Sequence, residues 1–89
     1  MNDPFIPGSR VRITIFYRGN GSPYATILRS EIDHTNGRPY SVVAFDNDEL
    51  MECTVGYYND MLAFVCVLTK EELLTHHHTD VRILAQGLP

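Results

Sequence analysis

The chain has 89 residues, a net charge of −4, 44% hydrophobic and 20% charged residues, and two cysteines. A chain of this length holds one domain with one core, expected over 1–89, and its composition excludes a disordered or disulfide-stapled protein. So acidic a balance also lacks the clustered cations that phosphate neutralisation needs, so direct nucleic-acid binding is not expected.

Residues 1–9, with Pro4, Pro7 and Gly8, read as a lead-in outside the ladders. From Arg10 to Tyr17 the pattern alternates, with Val11, Ile13, Ile15 and Tyr17 on one side and Arg10, Arg12, Thr14 and Phe16 on the other, which is a half-buried strand. The glycines at 19 and 21 mark a loop. Tyr24 to Ile32 is a second strand in which Ile27 and Leu28 are apolar in succession, as where a sheet bends and changes its buried face. Asn36-Gly37 predicts a type I′ hairpin, which needs positive φ at both central residues. Tyr40 to Phe45 is the third strand, Asp46-Asn47-Asp48 a tight turn, and Glu49 to Val55 the fourth strand.

Gly56 to Asp60 breaks the pattern. Met61 to Leu68 is apolar throughout and predicts a fully buried strand; at eight residues it is too short to span a bilayer. Thr69-Lys70-Glu71-Glu72 is a capping box that starts a helix over about 70–77. Val81 to Ala85 reads as a last strand with Val81 and Ile83 inward. The expected fold is therefore mainly β: a small, bent, antiparallel SH3-like barrel of five to six strands, with one short helix before the last strand.

No nucleophile-elbow, zinc-protease or P-loop pattern is present, so an enzyme is not expected and no catalytic residue or cofactor is assigned. His76-His77-His78, with His34, Cys53 and Cys66, raises a metal site. Three adjacent histidines cannot all face one ion, however, and zinc sites use paired ligands at fixed spacing. The histidines read instead as a solvated helix end and the cysteines as small buried hydrophobes; no metal ligand is assigned, and metal binding through His and Cys is kept only as a minor alternative. Met1 is not followed by a basic and then apolar leader, so a cytoplasmic, reduced protein is the expectation.

The more specific signal is a surface. Asp46, Asp48, Glu49, Glu52 and Asp60 belong to a half of the chain, residues 45–89, in which Lys70 and Arg82 face eight acids, a balance of −6. Residues 1–44 balance five arginines against three acids, or +2. Tyr24, Tyr40, Tyr57 and Tyr58 fall at strand starts or in loops, where rings stay partly exposed. Aromatic rings beside carboxylates recognise cations and anchor protein partners. The leading reading is a non-catalytic module for a basic protein or peptide, with Tyr24, Phe45, Tyr57 and Tyr58 as anchors and Asp46, Asn47, Asp48 and Glu49 at the rim. A second reading is a small acidic inhibitor or accessory protein, of the kind phages and mobile elements encode, that blocks a host protein's nucleic-acid-binding surface. No membrane partner is expected. A homodimer stays open if one face of the 61–68 strand proves exposed.

Gly8-Ser9-Arg10-Val11, Tyr24-Ala25-Thr26-Ile27 and Tyr40-Ser41-Val42-Val43-Ala44-Phe45-Asp46-Asn47 together resemble a Tudor domain within the SH3-like barrel group, over about residues 8–55. The resemblance implies an aromatic cage for a methylated ammonium. Tyr24 and Phe45 would match two cage aromatics, Phe16 or Tyr17 would stand for a third, and Asn47 falls where the cage acid would be.

Overall fold

A computed structural model of the chain describes residues 5–14, 23–45 and 54–87. It is mainly β, with strands β1 (Ser9–Ile13), β2 (Tyr24–Ile32), β3 (Pro39–Phe45), β4 (Thr54–Tyr58) and β5 (Leu62–Val67), followed by helices α1 (Lys70–Leu74) and α2 (Thr79–Gln86). One antiparallel sheet has the order β4-β3-β2-β1-β5. The expected barrel is not closed: among the described residues β4 and β5 end the sheet on opposite sides and do not pair.

Register sorts the side chains onto two faces. Val11 lies opposite Ala25, and Ala25 opposite Phe45. These residues join Ile13, Ile27, Val43 and Leu62 in one buried cluster, against which Phe5 and Tyr57 pack. Arg10 lies opposite Thr26, and Thr26 opposite Ala44, on the other face. There Ala44 is buried with Leu73, Val81 and Ala85 of the two helices, and Leu28 and Leu68 close the cluster. The paired apolar residues Ile27 and Leu28 are thus explained. Strand alternation alone sends Ile27 to one cluster and Leu28 to the other, because this sheet is covered on both faces. The register shift between Ile27 and Arg29 is a β-bulge that leaves Leu28 without a direct partner and sets Arg29 opposite Val42.

The N-terminal lead-in is tied down at Gly8. Its φ of +91° is open to glycine, its N–H donates to the Ile27 carbonyl, and its own carbonyl accepts from the Leu68 N–H. At the far end of β3, the Ser41 hydroxyl donates to Asn59 Oδ1 at 2.6 Å, which fixes the 3₁₀ turn at Asn59–Met61 to the sheet.

Several expectations from the sequence change. The chain does not break from the sheet at Gly56: β4 is Thr54–Tyr58, so Gly56, Tyr57 and Tyr58 are strand. The β2–β3 hairpin is not type I′: Asn36 does not have positive φ, and only Gly37 does, at +73°. Asp33 and Arg38 close a four-residue loop, two residues longer than the expected turn on its β2 side, because the Asp33 carboxylate accepts both the Thr35 N–H and hydroxyl and folds the chain there. Met61 to Leu68 is not fully buried. β5 is an edge strand with Phe64, Val65 and Val67 at 44%, 42% and 56% exposure, and Cys66 is exposed on it, not buried.

The capping box forms with both of its hydrogen bonds, but α1 ends at Leu74, short of His77. Val81 to Ala85 is helix, not strand. His78 caps it, its Nδ1 accepting the Asp80 N–H at 3.1 Å, and Arg82 Nη1 reaches back to the carbonyls of His76 and His77. Val81 and Ala85, four apart, face the core, whereas Ile83, which the strand reading turned inward, is half-exposed. His78 is accordingly buried, not part of a solvated helix end.

Candidate functional site

The expected anchors separate. Phe45 belongs to the buried cluster and meets Tyr57 edge to face, with ring centroids 6.3 Å apart, so both rings are tied to core packing. Tyr24 lies on the opposite face, where the Arg10 guanidinium carbon sits 4.4 Å from its ring centroid. Tyr24 and Phe45 therefore do not converge, and the cage that the Tudor resemblance implies is not assembled from them. Asp46, Asn47, Asp48 and Glu49, with Phe16 and Tyr17, lie outside the described residues, as does Cys53.

Among the expected anchors, Tyr58 lies in a groove. Glu31 lies directly opposite Tyr40, and Tyr40 directly opposite Tyr58, so β2, β3 and β4 set a carboxylate and two phenols in one row across a single face. Neighbouring strands are about 4.8 Å apart, which fixes the spacing of that row. The Tyr40 hydroxyl donates to Glu31 Oε2 at 2.6 Å, and that bond to an anion raises the phenol's pKa. Gly56 is next to the row on β4, and the side chain it lacks leaves the Tyr40 ring uncovered. The result is a groove of about 440 Å³ lined by Ile32, Asp33, His34, Tyr40, Gly56, Tyr57 and Tyr58.

Asp33 supplies the groove's fixed charge. Its carboxylate accepts the Thr35 hydroxyl at 2.6 Å, the Tyr58 hydroxyl at 2.7 Å and the Thr35 N–H at 2.9 Å. The Thr35 hydroxyl and then the Tyr58 hydroxyl are the leading causes that hold its pKa down at about 2. The Tyr58 oxygen also accepts from Asn36 Nδ2 at 3.0 Å. Above the ring lies Arg38, its guanidinium carbon 3.8 Å from the Tyr58 centroid, with Nη2 donating to Asp60 Oδ2 at 2.8 Å.

A consequence for stability follows from the sign of the Asp33 shift. A carboxylate that is more acidic folded than unfolded stabilises the fold fully above its unfolded value near 3.8, and the contribution is lost as pH falls through about 2. Urea midpoints should therefore show Asp33→Asn less stable than wild type at neutral pH, with the gap closing below pH 4. A gap that stays constant to pH 2 would exclude this role.

Chemically, the row can hold a cation: the half-buried Tyr40 ring presents a face beside Gly56, and the Tyr58 face is already stacked by Arg38. Asp33 supplies negative charge, together with Glu31, paired with Arg29, and Asp60, paired with Arg38. Sequence reasoning did not place Asp33, Glu31 or Gly56 in a site. The signal available was the hairpin loop, since a turn closed by Asp33 and Arg38 sets Glu31 against Tyr40 two residues further on. A second hollow, of about 470 Å³, lies between Arg10, Leu68, Glu72, Thr75, His76 and His77, with the two imidazoles stacked at 4.5 Å. Among the described residues no three His, Cys, Asp or Glu side chains come together as metal ligands. The chain matches no family model, no curated protein and no solved structure.

Proposed function

We propose that the protein is a non-catalytic binding module for a basic protein or peptide, and that the Tyr40–Tyr58 groove takes a cationic side chain of that partner. The observation that carries this reading is the Glu31–Tyr40–Tyr58 row with ionised Asp33 at its end. It offers aromatic faces and fixed carboxylate charge within one open groove. The chain's own Arg38, stacked on Tyr58 and paired with Asp60, supports it as an internal example of the ligand chemistry. The acidic segment Asp46–Glu49 extends the same charge along the sequence and would steer a basic partner towards the domain.

The direct test is an amide chemical-shift titration with butylguanidinium and butylammonium, and with neutral butylurea as control. The cations should move the amides of residues 31–34, 40 and 56–58 saturably, with a Kd on the order of 1 mM, as befits one small contact. Butylurea should not. Equal shifts with the neutral compound, or none with any, would defeat the reading.

A further inference from the structure

β5 pairs with β1 along one side only, and no described strand takes its other side. Edge strands of soluble proteins are ordinarily shielded by charge, proline or brevity, because a row of unpaired N–H and C=O groups is a template for another strand. β5 has neither charge nor proline of its own; along the chain the nearest charged residues are Asp60 and Lys70, and across the ladder Arg10 and Arg12 of β1 lie opposite Cys66 and Ala63. A bulge at Val65, between the Arg10–Cys66 and Val11–Phe64 pairs, is the one shielding device among the described residues. It leaves Phe64, Val65 and Val67 each more than two-fifths exposed.

The occupant that fits is a strand as uncharged as β5 itself. A basic peptide of the kind suited to the Tyr58 groove meets no carboxylate between residues 61 and 69. A second copy does fit. Over residues 45–89 the chain balances to −6, so two molecules approaching elsewhere on this half bring like charges together, whereas residues 61–69 add none, and Arg10 and Arg12 lie one strand back from the free edge. Two antiparallel copies of one strand are also self-complementary about a two-fold axis, so a single surface serves both partners.

We propose that β5 pairs with β5 of a second molecule, antiparallel across a two-fold axis, so that the two sheets become continuous and the exposed Phe64, Val65 and Val67 side chains are shared between them. The proposal is independent of the cation groove, which lies at the β4 side of the sheet.

Sedimentation velocity on the full chain over a wide concentration range tests it, with V65E/V67E as the variant. Both positions are exposed, and in the dimer the new carboxylates of the two copies are brought against one another across the shared edge. Wild type should be dimeric, and the variant should self-associate at least about tenfold more weakly, with an unchanged circular dichroism spectrum. A wild type that is monomeric throughout, or a folded variant that dimerises as before, overturns the proposal. If the variant does not fold, amide exchange on wild type decides: protection of residues 62–67 that rises with protein concentration supports the pairing, and protection independent of concentration overturns it. A monomer that captures an apolar peptide along β5 also overturns it, since the occupant would then not be a second copy.

Discussion

Gly56→Leu should weaken butylguanidinium binding by more than about tenfold while leaving the fold as stable as wild type or slightly more so. Most site substitutions confound these two readouts, and here they are expected to separate. A Cβ at Gly56 would meet only the Tyr40 ring, at 3.5 and 3.8 Å, which is ordinary contact and not a clash. The backbone at Gly56 does not have positive φ, so a larger residue brings no strain. Leucine would instead lie over the uncovered Tyr40 face and occupy the part of the groove of about 440 Å³ that adjoins that ring. Glycine inside a strand costs about 0.5–1 kcal/mol relative to alanine, so its replacement removes a local weakness of β4. Titration and urea unfolding on the same protein would decide the matter. Retained binding in a folded Gly56→Leu variant would mean that the ligand, if any, is not held against Tyr40.

Leu73→Ala should lower stability by about 3 kcal/mol, a large part of the roughly 5–15 kcal/mol available to a small domain. Leu73 is 2% exposed and is the largest side chain joining α1 to Ala44, Val81 and Ala85. It also lies under Gly8, where an added Cβ would come within 3.6 Å of its Cδ1, so the same side chain supports the lead-in to β1. With only five residues, α1 is far too short to persist without packing, and the capping box at Thr69 supplies one end of it and not its anchor. Urea denaturation should give the full loss. A cost below about 1 kcal/mol would mean that the helical layer is not coupled to the stability of the sheet.

Much of the secondary structure was legible along the chain. The bounds of β2 match the expected Tyr24–Ile32, and the Ile27-Leu28 pair marked a strand with apolar contacts on both faces. The capping box at Thr69 was readable because it is a contact between residues three apart. What misled were patterns that two structures satisfy equally. Val81, Ile83 and Ala85 alternate as a strand would, but Val81 and Ala85 also share a helix face, and the His78 cap decides for the helix. In the same way Asn36-Gly37 suits a two-residue turn, and the Asp33 carboxylate closes a longer one around it.

The candidate site was legible only in kind. Tyrosines and carboxylates as the material of a surface could be read from composition and position, and Tyr58 was among the residues singled out. That Tyr24 and Phe45 lie on opposite faces follows from the register of β1, β2 and β3, which no local pattern specifies. Tyr58 meets Tyr40 across eighteen positions of sequence, a pairing set by how β4 returns along β3.

By itself the sequence determined a mainly β chain with strands at Tyr24–Ile32 and from about residue 40 to Phe45, a helix start at Thr69, and an acidic second half. These are properties of alternation, capping and charge that neighbouring residues settle among themselves. The tertiary structure alone decided that the sheet stays open, that the apolar β5 lies at its edge, that Phe45 and Tyr57 go to the core, and that Glu31, Tyr40 and Tyr58 form one row. Each of these depends on which strand lies beside which, and a strand's burial and its cross-strand partners are set by its neighbours in space and not by its own residues.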